Sequence, residues 1–266
     1  MGIATDDSRP ETAGVNVHRS SHAKMASFFR AYAAKFPAET GRARVLEIGS
    51  KAYEGQPTYR DLIDEDRQHY TGLDLEPGRN VDVVAKAGFV WPEIEDASFD
   101  VCISGQTLEH NPYFWVTMAE ISRSLVPGGY ACIIAPGSQA VHRYPLDCWR
   151  FYPDSWAPLC ALVGLEPIEV YFETDEMALS VVDGHVRDSM VIARKPVTGD
   201  RAIDNRLRLL AEPFRAGDIA FKPVATNEGP CIADYRLSAP RASKWRARLA
   251  FRINPDGPVR VYDGKV

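Results

Sequence analysis

The chain has 266 residues, of which 45% are hydrophobic and 25% charged, and a formal net charge of -5. That is the make-up of an ordinary globular protein; it offers no basic surplus for nucleic acid, and no apolar run reaches the roughly eighteen residues of a membrane span. Charge is uneven: residues 197–266 carry +5 and the remainder -10, which suits either a tail packed on an acidic body or a basic lip for an anionic substrate.

The N-terminus lacks the basic-then-apolar pattern of a secretory leader. Cys102, Cys132, Cys148, Cys160 and Cys231 are widely spaced without a CxxC pair. Reduced thiols and a cytoplasmic location are therefore expected. Residues 1–39 read as a polar segment and then a helix over 20–36, where Met25, Phe28, Phe29, Tyr32 and Phe36 recur at helical spacing before Pro37.

Strands and helices alternate over 40–196. Apolar runs predict strands at 44–49, 70–75, 81–85, 99–104, 130–135, 167–173 and 189–195. Between them come a short helix at 58–63, a helix over 112–125 with Pro112 in its first turn, a tight turn at Val126-Pro127-Gly128-Gly129, and a helix over 154–163 stopped by Gly164. The rhythm is that of a doubly wound α/β sheet. Residues 197–266 lose it: a helix over 203–210 and strands over 245–254 and 259–262 are expected in a C-terminal extension, a candidate surface for a homo-oligomer.

Two strand ends carry chemistry. Val45-Leu46-Glu47-Ile48-Gly49 ends beside a glycine, where backbone can approach a ligand. Gly72-Leu73-Asp74 ends on a carboxylate able to accept from both hydroxyls of a ribose. The dinucleotide fingerprint is missing, since Gly55 is the next glycine after Gly49, and no phosphate loop or Tyr-x-x-x-Lys pair occurs. A nicotinamide oxidoreductase is disfavoured on that ground.

The motif order resembles the class I S-adenosylmethionine-dependent methyltransferases, in the group with the type 11 methyltransferase domain. The resemblance rests on Val45–Gly49, Gly72-Leu73-Asp74, Ser98-Phe99-Asp100-Val101, Leu108-Glu109-His110 and Leu125-Val126-Pro127-Gly128-Gly129-Tyr130. It covers roughly residues 40–196 and implies a Rossmann-like methyltransferase fold, a seven-stranded mostly parallel sheet. It also implies S-adenosyl-L-methionine as cofactor, with Glu47, Gly49, Ser50 and Lys51 near its methionine part and Asp74 and Leu75 at the ribose. Ala87 and Gly88 then fall at the adenine, and Ser104, Gly105 and Gln106 beside the sulfonium. Two lysines depart from the family pattern: Lys51 replaces a loop glycine, and Lys86 replaces an acidic residue that would meet the adenine amino group. A non-catalytic scaffold that keeps or has lost the cofactor is the alternative these lysines favour.

Methyl transfer mainly requires orientation and exclusion of water, and an oxygen acceptor also needs a base. His110 and His142 are the candidates, His110 having a structural role at a helix start as its alternative. The segment 142–154 gathers aromatics, two arginines and two carboxylates, so Arg143, Tyr144, Asp147, Trp149 and Arg150 are candidate contacts to a small-molecule or glycan acceptor. Pairing of Asp147 with Arg143 or Arg150 would instead brace the loop. The six histidines show no HExxH or similar spacing, so no metal is expected; the net charge and the lack of a long apolar run give no reason to expect a nucleic-acid or membrane partner.

Overall fold

In a computed structural model of the chain, the structure describes residues 19–39, 41–139, 141–173, 187–219, 233–237 and 249–253. Seven strands form one sheet: β1 (Ala43–Ile48), β2 (Gln68–Asp74), β3 (Val83–Val84), β4 (Phe99–Gly105), β5 (Leu125–Ser138), β6 (Glu166–Phe172) and β7 (Arg187–Arg194). Their spatial order is β3-β2-β1-β4-β5-β7-β6. Only β7 is antiparallel to its neighbours β5 and β6; the other pairs are parallel. The order reverses between β1 and β4, so the crevice beyond their C-terminal ends is the switch point where open α/β sheets bind ligands.

The central strands are apolar on both sides because both faces are covered. In β4, Val101 and Ile103 face one cluster and Cys102 the other. Helix α1 (Arg19–Tyr32) covers the first face, burying Met25, Phe28, Phe29 and Tyr32. Burial of each such side chain stabilises the fold by about 1.5–3 kcal/mol. Helices α2 (Phe114–Ser124), α3 (Pro153–Val163) and α4 (Arg201–Arg215) lie on the other face, contributing Met118, Ile121, Trp156, Val163 and Leu207.

Helix α3 opens on Pro153 and closes on Gly164, whose φ of 73° lets its amide cap the Cys160 carbonyl. Asp200 caps α4 by accepting from the Ala202 amide at 2.8 Å. Arg215, in the last turn of α4, reaches the buried Glu120 of α2 at 3.0 Å. The first unit of the chain accordingly runs Met1–Ile219, and α4 belongs to it rather than to the extension expected from residue 197. The second unit, Ala220–Val266, contains an antiparallel pair, β8 (Ala233–Leu237) and β9 (Leu249–Ile253).

Three local expectations change. Residues 126–129 fall inside the span of β5, which starts at Leu125, but they have no partner on β4, where the register jumps from Phe99 opposite Leu125 to Val101 opposite Tyr130, and Gly128 has φ 82°. Pro112 precedes α2 instead of standing in its first turn. Strand β8 had no counterpart among the expected elements, and the strand at 259–262 lies outside the described residues. Cys102, Cys132, Cys148 and Cys160 are free thiols. No helix among the described residues is long and apolar enough to cross a membrane.

Candidate active site

The first loop turns at Gly49, whose φ is 76°. A side chain there would collide with Thr107, so the glycine is required by packing as well as by backbone conformation. The amides of Gly49 and Ser50 both donate to the Leu73 carbonyl, at 2.9 and 3.1 Å. Asp74 stands at the tip of β2 as expected and ties the loop down: it accepts from the amides of Lys51 (2.9 Å), Leu75 (2.7 Å) and Glu76 (3.3 Å). These three bonds occupy three of the roughly four lone-pair sites of a carboxylate. Leu75 is exposed. The Lys51 side chain lies along Gly78 and its ammonium pairs with Glu76 at 2.6 Å. Lys86 and Ala87 are exposed, and Gly88, at φ 68°, has open space where a side chain would be.

Several expected contacts point elsewhere. Glu47 is buried and bonded to the Tyr70 hydroxyl, which also accepts from Asn80 at 2.9 Å. Burial pushes the Glu47 carboxyl up to about 8, against the pull of the Tyr70 and Asn80 hydrogen bonds. Ser50 is buried, and Asn80 donates to its carbonyl at 2.8 Å. At the tip of β4, the buried Ser104 hydroxyl donates to the Ile48 carbonyl at 3.0 Å, and Gly105 makes room for the Tyr59 hydroxyl. Gln106 (φ 55°) does not turn toward the switch point: its amide donates to Asp188 at 2.8 Å, joining Ser20 and Lys24 on that carboxylate. Tyr59, Tyr70, Asn80 and Asp188 were missed by sequence reasoning; single polar residues on apolar strands and in loops carry no motif.

The segment after β5 is stapled down at both ends. The amides of Cys148 and Trp149 donate to the Glu109 carbonyl at 2.7 and 3.3 Å, and the Trp149 indole donates to the Asn111 carbonyl at 3.0 Å. Trp149 packs edge-on to Phe114 and Trp115. Asp147 has a 1% exposed side chain and is gripped by Arg150 at 2.5 and 2.7 Å, while the His142 amide donates to it at 2.7 Å. Asp147, Arg150 and Trp149, expected at the acceptor, thus serve the loop's own framework. Arg143 and Tyr144 are exposed; Tyr144 hydrogen-bonds Tyr53 of the first loop and meets it edge-on at 5.6 Å between ring centroids. The loops after β1 and β5 therefore touch across the switch point.

His110 and His142, separated by 32 positions in sequence, meet edge-to-face with centroids 4.9 Å apart. The His110 Nδ1 contacts the Leu146 carbonyl at 2.5 Å, which makes Nδ1 the protonated nitrogen and leaves Nε2 with its lone pair. Burial lowers the His110 pKa, partly countered by that bond. Glu109 is fully buried, and burial pushes its carboxyl up to about 8. One ligand atom from each of Glu109, His110 and His142 lies within 4.8 Å of the other two. Linear spacing predicted no metal; the fold assembles a possible donor set that no local motif announces. His22 stacks on Tyr59 at 6.2 Å and His69 is exposed, both outside this cluster, while His18 and His185 lie outside the described residues.

The residues present fit an adenosine-bearing cofactor. A partly exposed carboxylate stands at the β2 tip, and neither Lys51 nor Lys86 fills the space on the side of Gly88 where a side chain would stand.

A family model described as a methyltransferase domain matches residues 58–133, a span that includes Asp74, Gly88, Glu109 and His110. A highly reducing polyketide synthase, acrA of Aspergillus aculeatus, is 24% identical over 210 residues. The match takes in 66% of this chain but spans only 8% of that protein's length. Among solved structures, the cyclase SpnF aligns with a TM-score of 0.50 at 16% identity, over 71% of this chain and 86% of its own, a likeness of fold alone. A 1,6-didemethyltoxoflavin-N1-methyltransferase of Burkholderia thailandensis aligns at 0.47 and 17% identity, over 66% and 78%. That domain match runs from before β2 into β5 of the 3-2-1-4-5-7-6 sheet, so residues 58–133 carry a methyltransferase domain, and this supports S-adenosyl-L-methionine as the cofactor.

Proposed function

We propose that the chain methylates a hydroxyl oxygen of a small-molecule or glycan-like acceptor held against the segment that follows β5. The observation that carries this reading is the His110–His142 pair, in which one buried nitrogen of each ring, Nε2 of His110 and Nδ1 of His142, is free of hydrogen-bond partners among the described residues, at the switch-point end of the sheet. When bound, the cofactor supplies a methyl group made electrophilic by a sulfonium.

The protein's part is to place the acceptor oxygen in line and take up its proton. With the cofactor supplying the methyl group, the histidine pair would take up the acceptor's O–H proton as the oxygen is methylated. Exposed Arg143 and Tyr144 flank the pair and supply an anion contact and an aromatic face. The contact between Tyr53 and Tyr144 limits the approach of water from the rim.

A second reading, a cofactor-binding scaffold without catalysis, is favoured by the three amides already held on Asp74. A screen of hydroxylated acceptors with a labelled methyl donor separates the two. Label transferred to oxygen, lowered at least tenfold in His142→Ala with cofactor affinity unchanged, supports the proposal. Transfer to nitrogen or carbon, or full activity in the variant, overturns it; no transfer with intact cofactor binding supports the scaffold.

A further inference from the structure

Buried polar atoms without partners are rare, and each needs a cause. Of the eight among the described residues, four gather at one place: both carboxylate oxygens of Glu109, Nε2 of His110 and Nδ1 of His142 are buried and make no hydrogen bond. They do not point to scattered places. Glu109 Oε1 and His110 Nε2 are 3.7 Å apart, and the three residues offer donor atoms that all lie within 4.8 Å of one another. Ligands at about 2.1 Å around one tetrahedral ion stand about 3.4 Å apart. Small side-chain rotations therefore close this set on a cation.

The surroundings are those of a supported ligand set. His110 donates its other ring N–H to the Leu146 carbonyl, the support that orients a ligating imidazole. His142 is held by its amide bond to Asp147, which also lies 3.5 Å from its Nδ1, and Asp147 is fixed in turn by Arg150. Glu109 is locked from behind by the two amides on its carbonyl. A fully buried carboxylate without a hydrogen bond is costly as an anion, and a cation in contact with both oxygens removes that cost.

We propose that Glu109, His110 and His142 form a site for one divalent first-row transition cation, with at least one coordination position left open toward the segment carrying Arg143 and Tyr144. Two imidazoles and one carboxylate suit Zn²⁺, Co²⁺ or Mn²⁺ better than Mg²⁺ or Ca²⁺, which prefer oxygen donors throughout. Three protein ligands with an open position are the arrangement of a catalytic rather than a purely structural ion. The proposal rests on the reading of this end of the sheet as the acceptor side and replaces its proton step: with the ion bound, the imidazole lone pairs are on the metal and no longer act as the base, the ion lowers the pKa of a hydroxyl bound to it, and the proton is released to water.

The test uses the full chain without acceptor or cofactor, so that failure of the site and failure of the methyl-transfer reading are separate results. After chelator treatment the protein is dialysed against Co²⁺, Zn²⁺ or Mn²⁺, and bound metal is measured by elemental analysis and, for Co²⁺, by its visible absorption. Expected is one equivalent per chain, a rise in Tm with metal, and a loss of affinity of at least tenfold in each of Glu109→Gln, His110→Ala and His142→Ala. Should one variant fail to fold, the other two and the wild-type Co²⁺ spectrum still decide. Negligible uptake by folded wild-type protein overturns the proposal, as does uptake that the folded variants leave unchanged.

Discussion

The Asp147 carboxylate lies against the Arg150 guanidinium, and the same carboxylate accepts the amide of His142. One acidic side chain therefore fixes both the arginine three residues later and the backbone that presents a histidine of the candidate site. Burial alone would raise its pKa; the hydrogen bonds from Arg150 and from the His142 amide outweigh that and hold it below the ordinary carboxylate range.

Asp147→Asn is expected to lower stability by about 1–3 kcal/mol, as the loss of a hydrogen bond to a buried charge. Because the native pKa is depressed, the contribution is fully present above the unfolded pKa, near pH 4, and disappears as pH falls through the native value. Denaturant titrations should give a flatter acid-side profile for the variant below about pH 4. A profile parallel to wild type would place the stabilisation elsewhere.

Glu47 works in the opposite sense. Its native pKa of about 8 exceeds that of the unfolded chain, so its effect on stability is most favourable below the unfolded pKa and worsens as pH rises toward about 8, by up to about 1.4 kcal/mol per pH unit. Glu47→Gln keeps a partner for Tyr70 and has no charge to bury. Its stability advantage over wild type is expected to grow between pH 5 and about pH 8, as read by paired urea melts. A constant difference across that range would mean that Glu47 is ionised throughout.

Gly49→Ala combines a left-handed backbone, costing about 1–2 kcal/mol, with a collision against Thr107, costing about 1–3 kcal/mol as overpacking. In a Thr107→Ala background the contacts with Oγ1 and Cγ2 are gone and only that with Cβ, at 3.0 Å, stays, so most of the second cost is removed and the double-mutant cycle should show positive coupling. Equal costs in both backgrounds would remove the packing argument and leave φ alone.

These residues mark what the sequence discloses. The central strands were legible because a strand covered on both faces is written as a continuous apolar run, as in Phe99–Gly105. Gly164 was legible as a helix stop because its positive φ follows from glycine's lack of a side chain. The Pro-Gly-Gly at 127–129 was legible as a break for the same reason: these residues have no partner on β4 and Gly128 has φ 82°, although they fall inside the span of β5. Asp74 was legible from its place at a strand tip, and the Asp147–Arg150 pair from its spacing. The turning of Gln106 toward Asp188, 82 positions away, and the meeting of Glu109 and His110 with His142 were not, because contacts between distant strands leave no periodicity in the chain.

The direct test of cofactor binding at the β2 tip is a calorimetric titration of the full chain with S-adenosylhomocysteine, wild type against Asp74→Ala. Expected is saturable binding of one molecule per chain, weakened in the variant by about 1–3 kcal/mol. A folded wild-type protein that binds none, or a folded variant that binds as tightly as wild type, would contradict it.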